Sequence, residues 1–199
     1  MLTVDQIRAK LADCAHAPAV FEANYRQAAV AMILAEGDTE LDVCFIRRAE
    51  REGDPWSGQV AFPGGRADPV DPTASAVAER ETLEEIGLPL LSGDLIGALP
   101  VRQIEREHLK ILSPFVYHVG KGAQSVARVR ERHEVASVFW VPLSHLFDRS
   151  SATELEYPMG GTATSFPGIR YGEHVIWGLT LRILESFAEI VQLDLAARN

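Results

Sequence analysis

The sequence predicts a single α/β domain, and three observations indicate this class. Segments typical of buried strands alternate along the chain with segments whose apolar residues recur at helical spacing. The chain has 199 residues, of which 47% are hydrophobic, and this is enough to bury one full core. It contains no internal repeat, low-complexity tract or linker. We therefore expect one domain over residues 1–199.

The N-terminal part of the chain predicts one helix and three strands. Leu2, Ile7 and Leu11 lie at helical spacing, which indicates a helix over about residues 3–14. Two apolar runs follow, joined by a Glu-Gly-Asp turn, and a charged loop then leads to a short third strand. These predicted strands lie at residues 28–34, 41–46 and 59–62.

A second helix is predicted to carry an acidic cluster. Asp71 has the position of its N-cap, and Pro72 that of the first helical residue, where a missing N–H costs nothing. Gly87 suits the left-handed residue just past the helix end, and Pro89 prevents continuation. We therefore expect a helix over about residues 72–86.

Three glutamates of this helix are predicted to share one face. Residues three and four apart on a helix are neighbours, so Glu81, Glu84 and Glu85 converge on one arc, while Glu79 lies off it. Like charges at this spacing destabilise a helix, and only Arg80 can pair with one of them, Glu84. A solvated acidic face is the alternative. A hard divalent cation, which prefers oxygen ligands, would remove the repulsion, so the pattern favours a metal site.

The remainder of the chain predicts three more strands, a β-rich excursion and a closing helix. The strands lie at residues 94–100, 111–119 and 137–141, and one helical turn follows at 142–147. Residues 154–177 contain scattered glycines and four aromatic residues, which indicates an excursion or lid. The last helix, over about residues 179–193, has one apolar stripe: Ile183, Leu184, Phe187, Ile190 and Val191.

Two consecutive glycines precede the acidic helix. A backbone without Cβ atoms can approach a ligand closely, so Gly64 and Gly65 can direct carbonyl or amide groups at it. A glycine pair alone is usually a turn. Followed by a carboxylate helix, it forms half of a site for metal and phosphate.

These residues resemble the Nudix box. The family pattern is Gly, five residues, Glu, seven residues, Arg-Glu, an apolar residue, any residue, Glu-Glu, any residue, Gly and an apolar residue. Here it is filled by Gly65, Asp71, Arg80, Glu81, Glu84, Glu85, Gly87 and Leu88. Asp71 replaces the first Glu, eight residues separate it from Arg80, and Thr82 occupies an apolar position. The chain is identified as a member of the Nudix hydrolase family, with its box at about residues 64–88.

The resemblance implies a Nudix-type α/β/α sandwich with a mixed sheet. It also implies that Glu81, Glu84 and Glu85, with the Gly64 carbonyl, hold Mg²⁺ or Mn²⁺ for the hydrolysis of a diphosphate. Arg80 would orient these carboxylates rather than touch the substrate.

A further carboxylate precedes the strand predicted at residues 137–141. Family members often have an acidic residue here that faces the metals, and Glu134 occupies this position. A surface glutamate is the alternative. Either Glu81 or Glu134 would take the proton from the attacking water, and the sequence leaves this choice open.

The departures from the family pattern resemble the coenzyme A pyrophosphatase branch. Residues 58–65 match that branch's Gly-x-x-x-Phe-Pro-Gly-Gly, and the spacer after Asp71 has its length. The resemblance implies hydrolysis of coenzyme A to 3′,5′-ADP and 4′-phosphopantetheine. The alternatives are a Nudix enzyme for ADP-ribose, an NDP-sugar or another nucleoside diphosphate derivative, and a non-catalytic nucleotide sensor.

The net charge of −9 argues against binding of duplex nucleic acid, which requires a basic surface. A phosphate substrate then needs local cations, which bound metals and two arginine groups can supply. The first group, Arg47, Arg48 and Arg51, adjoins the Gly-Gly turn and is expected to contact the substrate, with Trp56 packing on its apolar or aromatic part. The second group contains Arg128, Arg130 and Arg132.

Other features concern the compartment. No apolar run approaches the roughly 18 residues of a membrane span, no signal peptide is apparent, and Cys14 and Cys44 do not indicate a disulfide framework. We expect a cytoplasmic enzyme that acts on a small-molecule nucleoside diphosphate, with neither nucleic acid nor membrane as a partner. A homodimer stays open as an assembly.

Overall fold

The structure is a computed structural model that describes residues 2–14, 20–24, 26–53, 56–106, 109–159 and 162–197. The helices are α1 (Val4–Asp13), α2 (Ala74–Ile86), α3 (Ala123–Val126) and α4 (Gly178–Val191). The strands are β1 (Gln27–Glu36), β2 (Leu41–Arg48), β3 (Val60–Ala61), β4 (Gly64–Arg66), β5 (Leu95–Ala98), β6 (Arg102–Arg106), β7 (Leu109–Val119), β8 (Val135–Pro142), β9 (Ala152–Met159), β10 (Thr162–Tyr171) and β11 (His174–Trp177). Short 3₁₀ turns lie at Ser92–Asp94, Leu143–Phe147 and Arg149–Ser151.

The main sheet contains strands β1 to β8 and is mixed. β1 and β7 pair in parallel at its centre, whereas the other strand pairs described in this sheet are antiparallel. β2 and β4 both lie beside β1, β5 and β6 pair with β7, and β3 and β8 pair with β2. The predicted mixed sheet is confirmed.

Helices cover both faces of this sheet, because β1 is apolar on both sides. Ala31 and Ile33 pack in one cluster with Val77 of α2. Met32 and Leu34, which point the other way in the strand, pack in a second cluster with residues of α1 and α4. The predicted α/β/α arrangement is confirmed. Among the residues that the structure describes, no helix has the length and apolar character needed to cross a bilayer.

A second sheet covers part of the α4 side. Strands β9, β10 and β11 form a three-stranded antiparallel sheet in the order β11-β10-β9. Its last strand contacts β3 and leads directly into α4. This sheet corresponds to the β-rich excursion that the sequence predicts for residues 154–177.

The acidic helix starts later than predicted, and its N-cap was predicted wrongly. Thr73, not Asp71, is the N-cap, and its side chain accepts a hydrogen bond from the Ala76 amide at 3.1 Å. Asp71 instead binds Arg80, so a tertiary contact overrides the local capping signal. The other end agrees with the prediction, since Gly87 has a φ of 67° and caps the helix in the left-handed conformation.

Two strands and a helix were missed by the sequence analysis. β4 was predicted as a turn, but its glycines pair with Ala29 and Val30 of β1. Glycine is depleted in strands, so Gly64 and Gly65 have no strand signal of their own. β6 and the four-residue α3 are short segments whose sequences have no clear period.

Candidate active site

The candidate site lies where β1 and β2 separate. The two strands pair only from Leu34 opposite Val43 to Glu36 opposite Leu41. Beyond that point β4 occupies the edge of β1, and β3 occupies the edge of β2. Gly64 and Gly65 therefore lie at the mouth of the opening. A cleft of about 720 Å³ is present here.

Glu85 is the most deeply buried carboxylate of the site. Its side chain is on the inner face of α2 with 1% exposure, and its Oε2 accepts a hydrogen bond from the Gly64 amide at 2.9 Å. Burial raises the pKa of Glu85 to about 8, against the opposing effect of the Gly64 hydrogen bond, and the nearby charges of Glu81 and Glu134 also raise it. Without a cation, this carboxyl group therefore retains a proton near neutral pH.

Glu81 lies against the glycine pair. A Cβ atom on Gly65 would stand 2.3 Å from Cδ of Glu81, so a side chain at this position would displace the carboxylate. At Gly64, φ is +148° and a Cβ atom would meet the Ala29 carbonyl oxygen at 2.3 Å. Burial also raises the pKa of Glu81, while the charge and hydrogen bond of Arg80 oppose the rise. The two glycines thus bring the backbone of β4 against two glutamates of α2, Glu81 and Glu85.

Arg80 uses all five of its N–H donors within the site. Nε and Nη2 donate to the two oxygens of Asp71, each at 3.0 Å. Nη1 donates to Glu81 at 3.0 Å and to Glu84 at 2.8 Å, and Nη2 also donates to the Arg66 carbonyl at 3.0 Å. The guanidinium is thereby fixed on one side by Asp71 and contacts two of the predicted metal ligands on the other.

Asp71 is a functional candidate for which the sequence indicated helix capping and a place in the family pattern, but no role in the site. Its side chain is nearly inaccessible, with 4% exposure. Burial alone would raise the pKa of Asp71, but the hydrogen bonds from Arg80 and from the Asp68 amide hold it below its usual range. The available signal was its place in the family pattern, where the first glutamate of the Nudix box stands.

The three glutamates predicted to bind metal do not form a ready-made ligand set. Within the described ranges, no three His, Cys, Asp or Glu side chains are placed to hold one ion together. Glu81 and Glu84 point at Arg80, and Glu85 faces the amide of Gly64 rather than its carbonyl. Ligation by all three would require at least one side chain to turn.

The chemistry of these carboxylates nevertheless fits a divalent cation. The charges of Glu81 and Glu134 disfavour the ionisation of Glu85, and the charge of Glu134 disfavours that of Glu81. Burial adds to this cost, as the raised pKa values of Glu81 and Glu85 indicate. A cation with a preference for oxygen ligands would offset both effects.

Glu134 and two of the three predicted arginines share the cleft wall with Glu81. Arg48 and Arg51 line the cleft together with Trp56. The Nη1 of Arg51 is 3.7 Å from Oε1 of Glu134. The structure thus brings together one acidic and one basic group that are far apart in the sequence.

Arg47 and the second arginine group lie elsewhere. Successive strand residues point to opposite faces, so Arg47 faces away from the cleft and lines a neighbouring groove. The backbone amides of Arg128 and Arg130 donate to the last carbonyls of α2, at 2.9 and 2.8 Å, and so close its C-terminal end. Arg132 and these two residues are absent from the described lining of the cleft.

Comparison with known proteins identifies the family of this chain. The family model described as the NUDIX domain matches residues 25–159. The chain belongs to the Nudix family. It is therefore a hydrolase of the pyrophosphatase type, and enzymes of this family act on small nucleotide derivatives and generally use divalent metal ions.

Several relatives are known by name. An uncharacterised Nudix hydrolase, NudL of Photorhabdus laumondii, is 35% identical over 69% of this chain and 71% of its own. The mitochondrial coenzyme A diphosphatase NUDT8 is 32% identical in its human form, over 71% of this chain and 59% of its own. The mouse form is 37% identical, over 64% of this chain and 60% of its own. The matches to the two diphosphatases thus span about three fifths of those proteins.

A solved structure shows the same fold. The MutT/nudix family protein from Enterococcus faecalis superposes with a TM-score of 0.59 and covers 96% of this chain and 70% of its own. Only 14% of the aligned residues are identical, so the likeness concerns the fold alone.

Proposed function

We propose that this Nudix hydrolase cleaves the diphosphate of coenzyme A or its derivatives, releasing 3′,5′-ADP and 4′-phosphopantetheine. The observation that carries the substrate assignment is the 32% and 37% identity to two proteins named as coenzyme A diphosphatases. The Gly-x-x-x-Phe-Pro-Gly-Gly run at residues 58–65 supports it, because this run forms β3, the glycine pair and one wall of the cleft.

We propose Mg²⁺ or Mn²⁺ as the cofactor, held by Glu81, Glu84 and Glu85 with the Gly64 carbonyl. A divalent ion at such a site neutralises diphosphate charge and lowers the pKa of a bound water. Arg80 acts as a positioning residue, because it already contacts Glu81 and Glu84 and is fixed by Asp71. The buried Glu85 must lose its proton when the cation binds.

The diphosphate is proposed to lie along the cleft wall that contains Arg48 and Arg51. Both guanidinium groups can donate paired hydrogen bonds to phosphate oxygens. Because the chain has a net charge of −9, these local cations are needed to bind an anionic substrate. Trp56, on the same wall, is proposed to pack against an apolar part of the ligand.

We propose that one of two carboxylates, Glu81 or Glu134, takes the proton from the attacking water. Glu81 and Glu134 both line the cleft. Glu81 has one oxygen bound to Arg80, whereas Glu134 lies near Arg51 with 38% of its side chain exposed. The variants Glu81→Gln and Glu134→Gln separate the two roles. Loss of the base lowers kcat by roughly 10²- to 10⁴-fold without weakening metal binding. Loss of a metal ligand lowers kcat and also weakens metal binding.

Residues 1–199 are proposed to act as one domain in the cytoplasm. Ile7 of α1 and Phe187 of α4 belong to the same apolar cluster as Met32 of the central strand, so both ends of the chain contribute to one core. Cys14 and Cys44 are both free thiols, which suits a reducing compartment.

The function is tested by incubating the protein with coenzyme A and identifying products by mass spectrometry. We expect 3′,5′-ADP and 4′-phosphopantetheine in the presence of Mg²⁺ or Mn²⁺, and neither after addition of EDTA. Hydrolysis in ¹⁸O-labelled water identifies the phosphorus that is attacked. Tight binding of nucleotides without any product would instead indicate a sensor and contradict the proposal.

A further inference from the structure

A second groove adjoins the cleft on the α4 side of the main sheet. It has a volume of about 360 Å³ and lies between β3 and the three-stranded sheet. We call it the Trp177 groove; the residues of its wall that matter here are Arg47, Leu155, Tyr157, His174 and Trp177. None of these five residues is among those that line the cleft.

The groove and the cleft are continuous along β3. Gln59 and Val60 line both of them. Val60 is the strand partner of Arg47, and its carbonyl accepts a hydrogen bond from the Thr180 hydroxyl of α4 at 2.8 Å. Because β3 contains only Val60 and Ala61, a ligand bound in the cleft has a short path into the groove.

The wall of the groove presents aromatic rings. Tyr157 and Trp177 are half-buried, with ring centroids 4.8 Å apart and a tilt of 45° between the rings. Phe166 packs on Trp177 at 5.5 Å without lining the groove. Aromatic faces of this kind stack on planar heterocycles, including every nucleobase.

The groove also contains a cation. Arg47 is the one lysine or arginine among the described residues of its wall. It pairs with Glu50 at 2.9 Å, and the pair is open to solvent, with 40% of the Arg47 side chain and 77% of the Glu50 side chain exposed. Such surface pairs are weak, so a phosphate group can replace Glu50 and accept two hydrogen bonds from the guanidinium.

We propose that the Trp177 groove binds the 3′-phosphoadenosine half of coenzyme A, with adenine against Tyr157 and Trp177 and the 3′-phosphate at Arg47. This inference rests on the proposed function and deepens it by orienting the substrate. The diphosphate then lies at Arg48 and Arg51. Arg47 and Arg48 are successive residues of β2, so their side chains point to opposite faces of the sheet. The pantetheine arm follows the apolar wall of the cleft, which contains Leu109, Leu112 and Leu179.

The test measures binding of 3′,5′-ADP and 5′-AMP to the whole protein in EDTA by calorimetry. These ligands differ only in the 3′-phosphate. We expect the wild type to bind 3′,5′-ADP more tightly than 5′-AMP. The Arg47→Ala substitution should lower the affinity for 3′,5′-ADP by about tenfold or more and leave the affinity for 5′-AMP unchanged. Arg8→Ala is the matched control, because Arg8 also forms an exposed pair with an acidic residue three positions away, Asp5.

A second pair of variants tests the aromatic wall. The Tyr157→Leu substitution should lower the affinity for both 3′,5′-ADP and 5′-AMP by roughly tenfold. Phe166→Leu is its control, because Phe166 also packs on Trp177 but lies outside the groove wall. Melting temperatures of the two variants identify any loss of folding.

The outcomes separate this inference from the proposed function. Wild-type affinity for 3′,5′-ADP in both Arg47→Ala and Tyr157→Leu overturns the groove assignment, even if the enzyme hydrolyses coenzyme A. Binding of 3′,5′-ADP that depends on Arg47, in a protein that does not hydrolyse coenzyme A, overturns the proposed function and retains the groove. A selective rise in KM of Arg47→Ala for coenzyme A over dephospho-coenzyme A supports both.

Discussion

Arg80 determines how the acidic cluster is arranged in the absence of a cation. It separates Glu81 and Glu84 by donating to both from one nitrogen, Nη1, and it is itself bound by both oxygens of Asp71. The Arg80 guanidinium does not contact Glu85. This side chain is buried instead, and burial raises its pKa. The repulsion among the three carboxylates is therefore reduced partly by the Arg80 guanidinium and partly by the raised pKa of Glu85, which favours its neutral form.

The first prediction concerns the metal ligands. Glu84→Gln and Glu85→Gln keep side-chain size but remove a ligand charge, so turnover at saturating metal should fall by about 10²-fold or more. Glu79→Gln is the control, because Glu79 lies off the arc and accepts a hydrogen bond from Tyr117 at 3.2 Å, which a glutamine oxygen can also accept. Near wild-type rates in the first two variants would refute the assignment of these ligands.

The second prediction concerns the dependence of stability on pH in EDTA. Since the folded-state pKa of Glu85, about 8, lies above the ordinary value of 4.5, the folded chain holds a proton that the unfolded chain has lost between these values. The resulting contribution is complete below about pH 4.5 and is lost as the pH rises through about 8. Urea unfolding should therefore show that Glu85→Gln flattens the decline in the free energy of unfolding over this range. An unchanged slope would contradict the burial of an ionisable Glu85.

At this scale the sequence predicted which residues belong to the candidate site, but not their contacts. The acidic arc follows from helical periodicity, which is a local property, so Glu81, Glu84 and Glu85 could be named. The bond from Asp71 to Arg80 connects two elements and has no local signal. Arg47 and Arg48 could not be assigned to different cavities until the direction of β2 relative to the helices was known.

At the scale of elements, β4 connects the sheet to the acidic helix. Its glycines pair with β1 on one side and accommodate Glu81 and Glu85 on the other. A Cβ atom on Gly64 would clash with β1, and a Cβ atom on Gly65 would clash with Glu81. The strand lies this close to β1 and to α2 because neither glycine has a side chain. The same feature hid the strand from sequence analysis, since residues without side chains show no alternation of apolar and polar groups.

The third prediction tests this close approach. Gly64→Ala would place Cβ 2.3 Å from the Ala29 carbonyl oxygen, at a φ of +148°, so we expect it to lower the free energy of unfolding by about 1–3 kcal/mol. Gly120→Ala is the control, because a Cβ atom there meets no atom within 4 Å, and its effect should stay within about 1 kcal/mol. Equal stability of the two variants would show that β4 does not lie against β1.

The fourth prediction concerns the attachment of α2 to the residues that precede it. Asp71→Asn removes the charge that binds Arg80, so the free energy of unfolding should fall by roughly 2 kcal/mol, and turnover should fall because Arg80 loses its fixed position. Asp68→Asn is the control, because the Asp68 side chain accepts an exposed hydrogen bond from the Val70 amide at 3.1 Å, which an asparagine oxygen can also accept. Wild-type melting temperature and kcat in both variants would contradict the role assigned to the contact between Asp71 and Arg80.

The bounds of a helix could be predicted where the cap depends on the nearby sequence. The prediction failed where a tertiary contact decides which residue is the cap. Gly87 ends α2 as predicted, because a left-handed C-cap depends on one residue. The start was misplaced because Asp71 and Thr73 both offer an N-cap oxygen, and only the tertiary contact with Arg80 decides between them. The order of strands in the sheet likewise depends on pairings between distant segments, such as β1 with β7.

At the scale of the whole molecule, the fold places charge of both signs around one opening in the sheet. The α2 side supplies Glu81, the β2 side supplies Arg48, and the segment before β8 supplies Glu134. The α4 side supplies an apolar wall and the adjoining Trp177 groove. This arrangement suits a substrate that has a diphosphate in the middle, a nucleoside at one end and an apolar arm at the other.

The most direct test is the comparison of kcat/KM for wild-type enzyme with Mg²⁺ on coenzyme A, dephospho-coenzyme A, ADP-ribose, NADH, UDP-glucose and diadenosine polyphosphates. We expect coenzyme A to have the highest value, exceeding that of the other nucleoside diphosphate derivatives by about tenfold or more. A preference for ADP-ribose or an NDP-sugar, or equal values for coenzyme A and dephospho-coenzyme A, would contradict the assignment of coenzyme A.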